Sequence, residues 1–136
     1  MSQDNLVLSL RECFLSGWYA LPEDHRCPHD AWVEAVTISE TASGDRNEKR
    51  ELEIQVRLLG AYQDGTIEFA YKRVTNYSFQ ASKASSGHGD WLRDEVEERD
   101  GSILHTVLLA NGKIQIEARE IEYKWTASPN DPPRAS

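Results

Sequence analysis

Hydrophobic positions along the chain recur with two different spacings. Near the N-terminus Leu6, Leu10, Cys13 and Phe14 are four, three and one residues apart, the repeat of one helix face, and Gly17 supplies a stop. This predicts a helix over residues 4–16, although the alternation Leu6, Leu8, Leu10 also fits a strand. Residues 18–28 hold Pro22 and Pro28 among polar neighbours and read as an irregular connection. From Trp32 onward the period is two. Trp32, Val36 and Ile38 alternate imperfectly with polar residues, whereas Leu52, Ile54, Val56 and Leu58 alternate cleanly with Glu51, Glu53, Gln55 and Arg57. Between them Ser43-Gly44-Asp45 suits a long hairpin loop.

The same period continues through Ile67, Phe69 and Tyr71, behind a Gln63-Asp64-Gly65 turn in which Gly65 is expected to take positive φ. Residues 74–80, with Tyr77 and Phe79 in step, predict a further strand bent away around Lys72-Arg73. Residues 81–89 are rich in Ser, Ala and Gly and predict a mobile loop. Then come residues 91–99, Asp100-Gly101, 102–110, Asn111-Gly112 and 113–118. Asp-Gly and Asn-Gly favour two-residue hairpin turns with positive φ at both central positions, so this third reads as a β-meander. Ile121, Tyr123 and Trp125 resume the alternation after a bulge or bend at Arg119-Glu120. The expectation is a mainly β fold: an antiparallel, strongly bent sheet or partial barrel of about eight strands, with one short N-terminal helix over an open end or edge. Residues 1–127 are expected to form a single domain, and the proline-rich residues 128–136 a disordered tail.

Composition narrows this picture without changing it. The 136 residues are 39% hydrophobic and 28% charged, which excludes a wholly disordered or fibrous chain. Apolar stretches such as residues 103–110 fall short of the roughly 18 residues of a membrane-spanning helix. Fifteen Lys and Arg against 23 Asp and Glu give a net charge of −8, and the basic residues are scattered, so neither nucleic acid nor an anionic membrane is an expected partner. Two cysteines, Cys13 and Cys27, and an N-terminus without a basic segment imply free thiols and a cytoplasmic location.

Two polar pairs open strands: His29-Asp30, and His88 with Asp90. If these entrances meet in space, two imidazoles and two carboxylates suit a divalent metal. The plainer alternative is that the carboxylates serve turns and the histidines are satisfied locally, with no cofactor and no metal expected. His105 lies on the strand face of Ile103 and Val107, where a hydrogen-bonded core histidine is commoner than a base. Cys27 has His25 and His29 two residues away, the one local arrangement for an activated thiol. Of the four tryptophans, Trp125 is assigned to packing and Trp91, beside the flexible loop, to an interface. There is no Gly-x-Ser-x-Gly, His-Glu-x-x-His or Cys-x-x-Cys motif.

The order His29-Asp30-Ala31, an alternating strand, a glycine turn, Ile67-Glu68-Phe69 and Val74-Thr75-Asn76-Tyr77 resembles bacterial β-domains with a Leu-His-Asp-Ala start, some grouped with immunity proteins of polymorphic toxin systems. The run from Ile114 to Tyr123 is similar to the closing strands of that group. Pro28 stands where the pattern has leucine, and the loop carrying His88-Gly89-Asp90 falls outside it. The resemblance implies a small protein that binds another protein without catalysis, with an acidic surface suited to a basic partner, and a structural part for His29-Asp30. The expected function is therefore a non-catalytic protein-binding domain, acting on a partner or on itself as a homodimer. The alternative is a small metal-dependent or small-molecule-binding enzyme with a pocket at the sheet mouth.

Overall fold

A computed structural model of the chain describes residues 5–82 and 87–128. Among them are seven strands, all antiparallel, and one helix: β1 (Asn5–Ser9), α1 (Leu10–Leu15), β2 (Trp32–Ser43), β3 (Lys49–Leu59), β4 (Gly65–Ala81), β5 (Trp91–Arg99), β6 (Ser102–Leu109) and β7 (Gly112–Ala127). They form one sheet in the order β2-β3-β4-β7-β6-β5, with β1 added to β7 beyond the stretch that β6 occupies. The mainly β, strongly bent architecture holds, and the sheet does not close into a barrel. Its outer strands β2 and β5 are not paired along their length; Trp32 at the start of β2 forms an isolated bridge with Asp90, the residue before β5.

Cross-strand neighbours share a face, and the inner face is built of continuous apolar rows. One row runs Val33, Leu58, Ile67, Trp125, Leu6; the next runs Val36, Val56, Phe69, Tyr123, Leu8. On the other half of the sheet the rows are Phe79, Ile114, Val107, Asp94 and Tyr77, Ile116, His105, Val96. Two polar residues, Asp94 and His105, thus stand in the inner rows.

The long pair β4 and β7 forms the spine, and it accounts for one difference from the expected strand count. Residues 74–80 continue β4 and residues 121–125 continue β7, because both strands change phase together at a corner. Lys72-Arg73 and Arg119-Glu120 each place two successive side chains outward, and inward burial resumes at Ile121. Arg73 holds a left-handed φ of 55°, the pairing slips between Val74 and Asn76, and the Arg73 guanidinium donates to Glu120 at 3.0 Å. The bend is where the alternation placed it, but the ladder crosses it unbroken.

The N-terminal segment resolves the two competing patterns by using both. Leu6 and Leu8 alternate inward as β1, and the helix is only the turn and a half from Leu10, with Leu10 and Cys13 buried. Ser9 divides them. Its hydroxyl accepts from the Glu12 N–H, and the Glu12 carboxylate accepts from the Ser9 N–H, a capping box that starts the helix there.

Two of the expected turns have a different cause from the one the dipeptides suggest. Asp100 and Gly101 do take φ of 45° and 82°. Asn111 and Gly112 do not take positive φ; the two-residue loop is Ala110-Asn111. Asn111 instead anchors the neighbouring loop, its N–H donating to the His88 carbonyl at 2.8 Å and its carbonyl accepting from the Ser82 N–H at 2.8 Å. Gly65 likewise lacks positive φ, which falls on Gln63 at 60°. Gly65 is glycine because a Cβ would enter the Trp125 ring. Of the expected mobile loop, residues 83–86 lie outside the described residues, as do residues 129–136 of the expected tail and residue 4 of the expected helix.

Candidate functional site

A four-membered polar chain crosses the interior. Tyr71 on β4 and His105 on β6 approach from the two halves of the bent sheet, and the Tyr71 hydroxyl lies 2.8 Å from His105 Nδ1. His105 Nε2 lies 2.6 Å from Asp94 Oδ2 on β5, and the same oxygen accepts from the Tyr19 hydroxyl at 2.8 Å. Tyr19 belongs to the irregular segment that seals the open side. His105 is 0% exposed, and aromatic rings pack around it: Phe69 at 5.4 Å, Tyr71 at 5.8 Å and Trp91 at 6.0 Å.

The proton inventory is self-consistent. Both ring nitrogens of His105 have a partner: the Asp94 carboxylate accepts at Nε2, and at Nδ1 the Tyr71 hydroxyl can donate or accept as the imidazole requires. Burial pushes the Tyr71 and Tyr19 hydroxyls well above the ordinary tyrosine range, and the Asp94 charge adds to it. Burial, then Asp94, then Glu12 raise the Cys13 thiol to about 12. With both ring nitrogens engaged, His105 has none to offer a substrate. The chain is a strut that ties β4, β5, β6 and the seal together, as half expected for His105 and not foreseen for Tyr19, Tyr71 and Asp94.

At the seal Asp94 reaches the wall of a cleft of about 210 Å³, whose apolar lining includes Phe14, Pro22, Pro28 and Leu92. Arg93 and His29 also face it. Leu92 is the extra residue of a bulge, the pairing slipping between Trp91 and Arg93, and Asp30 beside His29 holds a φ of 68°. The seal itself is fastened by Tyr123, whose hydroxyl donates to the Arg26 carbonyl at 2.6 Å. Arg26 pairs with Asp24 at 2.7 Å and lies 4.4 Å over the Trp18 ring. On its other flank His25 stacks on Tyr62 at 3.8 Å and pairs with Asp64 at 2.6 Å.

The two strand entrances do meet, but through their backbones. The Asp30 N–H donates to the Trp91 carbonyl at 2.7 Å and the Trp91 N–H donates to the Ala31 carbonyl at 3.0 Å. His29 Nδ1 lies 3.2 Å from Asp30 Oδ2 without hydrogen-bond geometry, while His88 and Asp90 line a separate shallow cleft with Trp32. Among the described residues no group of three or more His, Cys, Asp or Glu side chains is placed to hold a metal ion. The four candidates His29, Asp30, His88 and Asp90 therefore share a seam and form no metal-binding group. Trp91, expected at an interface, is 1% exposed and stacks on Phe69 at 5.3 Å, because the meeting of the entrances turns it inward. The exposed tryptophan is Trp32, at 54%. Cys13 and Cys27 are free and buried, and the Cys27 thiol is raised chiefly by burial, the reverse of activation.

Backbone edges form the other accessible feature. β3 pairs with β4 only over Ile54–Leu59, so residues 39–53 project as a two-stranded arm paired within itself, and most of it is exposed. Beyond the corner, residues 74–81 of β4 have β7 on one side and, among the described residues, no strand on the other. The outer strand β5 is guarded by six charged residues out of nine, and β2 by Glu34, Glu40 and a bulge, whereas residues 74–81 carry no charge at all. No described helix is long and apolar enough to cross a membrane. Compared with known proteins, the chain matches no family model, no curated protein and no solved structure.

Proposed function

We propose that the chain is a non-catalytic protein-binding domain, and that residues 74–81 of β4 receive an extended segment of its partner as an added strand. The single observation that carries this reading is the eight-residue, uncharged β4 edge beyond the corner at Arg73, which no strand among the described residues covers on the side away from β7. An edge of that kind offers a row of backbone donors and acceptors, and strand addition satisfies them while side-chain pockets choose the partner. Tyr77, 41% exposed on the inner face, and Phe79 next to it at 5.8 Å supply the apolar contact. A net charge of −8 favours a basic partner over a second copy, since two such chains repel. The engagement of both His105 nitrogens argues against base catalysis in the interior. The resemblance to toxin-immunity domains implies the same kind of action.

Display selection of peptides against the full chain, followed by amide hydrogen exchange of the chain with and without the selected peptide, tests this. Enrichment of extended β-branched or aromatic peptides with basic flanks, protecting amides in residues 74–81, is the expected result. Protection confined to β2, β5 or the seal would refute it.

A further inference from the structure

Trp32 is the one tryptophan that the core does not take up. Trp91 and Trp125 are buried and Trp18 packs against the core, whereas Trp32 lies outside the core cluster and makes no ring or cation contact with any described residue. A large ring left in water is the residue type that partner proteins most often anchor on. Its neighbour across the seam is a carboxylate. Trp32 and Asp90 form an antiparallel bridge, and facing residues of such a pair point to the same side with Cβ atoms about 4.5–5.5 Å apart. Their chain neighbours Ala31 and Trp91 are buried, so Trp32 and Asp90 both point outward. The Asp90 side chain is exposed and has no hydrogen bond or ion pair with any described residue. Together they line a cleft of about 370 Å³ with Val33, Gly87, His88 and Gly89, and among the described residues no Lys or Arg lines it. The shelf is fixed before anything binds. The Asn111 N–H donates to the His88 carbonyl at 2.8 Å, the Ala110 N–H donates to the Asp90 carbonyl at 2.9 Å, and Gly89 sits so close that a Cβ there would come within 2.6 Å of Ala110. A site held in this way loses little ordering entropy on binding.

We infer that Trp32 and Asp90 form a clamp for an arginine side chain of a protein partner, the guanidinium lying flat on the indole with one edge turned to the Asp90 carboxylate. A guanidinium is planar, stacks on aromatic faces and presents its donors in its own plane, so one group meets a ring and a carboxylate that stand side by side. A lysine ammonium is a compact, strongly hydrated charge that serves one of the two well. An uncharged side chain covers the ring and leaves the carboxylate without a partner. The net charge of −8 draws a basic partner to this surface. The clamp rests on the protein-binding reading and names the partner's chemistry at a second place. It uses no residue of the β4 edge and needs no added strand.

Nuclear magnetic resonance titration of the full chain with Nα-acetyl-arginine amide tests the clamp. The four tryptophans give four indole N–H signals, and Trp32→Phe identifies the one that belongs to Trp32. That signal is expected to shift saturably, with a Kd on the order of 10 mM, while the other three stay in place. Nα-acetyl-citrulline amide, which keeps the shape without the charge, and Nα-acetyl-lysine amide are each expected to bind at least about threefold more weakly. Asp90→Asn, at an exposed side chain without a partner, is expected to weaken the arginine probe about threefold to fivefold, and unmoved signals from the other three indoles show that its fold is intact. The absence of a saturable shift at Trp32 overturns the proposal. So does a citrulline or lysine probe bound as tightly as the arginine probe, or an affinity that Asp90→Asn leaves unchanged. The hydrogen-exchange test of the β4 edge reads other residues, so failure of the clamp and failure of strand addition are told apart.

Discussion

Removing the Tyr71 hydroxyl is the most direct test of the internal strut. Tyr71 is 1% exposed, and its hydroxyl serves His105 Nδ1 at 2.8 Å in a place water does not reach. Tyr71→Phe deletes one oxygen, creates little cavity and leaves the buried Nδ1 without a hydrogen-bond partner. That costs about 1–3 kcal/mol, or roughly 0.7–2 M in the urea midpoint for a slope near 1.5 kcal/mol per molar. His105→Leu costs more, about 3–5 kcal/mol, because it orphans the Tyr71 hydroxyl and takes one of the two donors from the buried Asp94 carboxylate. The two changes are not independent. In the His105→Leu background the Tyr71 hydroxyl is itself the unsatisfied group, so adding Tyr71→Phe is expected to be neutral or stabilising. The double variant should therefore be at least as stable as His105→Leu alone, with a coupling of about 1–3 kcal/mol. Urea unfolding followed by far-UV circular dichroism gives all four values. Additive losses would show that Tyr71 and His105 do not act as a pair, and the strut would have to be abandoned.

Three further outcomes follow from the same geometry. The Arg26 guanidinium, by hydrogen bonding, holds the Asp24 carboxyl below its ordinary 3.8. A depressed folded-state value contributes stability that is present above pH 3.8 and lost as pH falls through that folded value. Asp24→Asn should thus be less stable than the parent at neutral pH, with the gap closing in stronger acid, and a gap independent of pH would contradict the assignment. The thiols Cys13 and Cys27, buried and raised by that burial, should stay unlabelled by a disulfide reagent at pH 8 in the native chain and both react in denaturant; rapid native labelling of either would place it at the surface. Gly65→Ala should lose about 1–3 kcal/mol, with a changed near-UV signal, because its methyl group meets the Trp125 ring; a melting temperature equal to the parent's would mean that the ring moves aside freely.

Much of the architecture was legible in the order of residues. Period-two alternation depends only on neighbours along a strand, so Leu52, Ile54, Val56 and Leu58 reveal their buried face without reference to the rest of the chain. The phase changes at Lys72-Arg73 and Arg119-Glu120 are visible in the same way. Whether a phase change ends a strand or only bends it depends on the neighbour, however, and here β4 and β7 bend together and keep their ladder. The capping box Ser9 and Glu12 was a local signal for dividing residues 5–15 into strand and helix, and it outweighs the helical spacing of Leu6 and Leu10. The roles of Gly65 and Gly112 were not legible, since what excludes a Cβ there is Trp125 from one distant strand and the Gln80 carbonyl from another.

Chemistry divides along the same line. The sequence by itself determined the sheet, its inward residues, the position of His105 among them and the net charge of −8. Tertiary structure alone decided that His105 meets Tyr71 and Asp94, residues 34 and 11 positions away, and that Tyr19 closes the chain from the seal. It also decided that the meeting of β2 and β5 turns Trp91 inward and leaves Trp32 outside. The reason is physical: alternation reports which way a side chain points, and a hydrogen bond needs a partner at the right distance. That distance is set only when a bent sheet brings its two halves face to face.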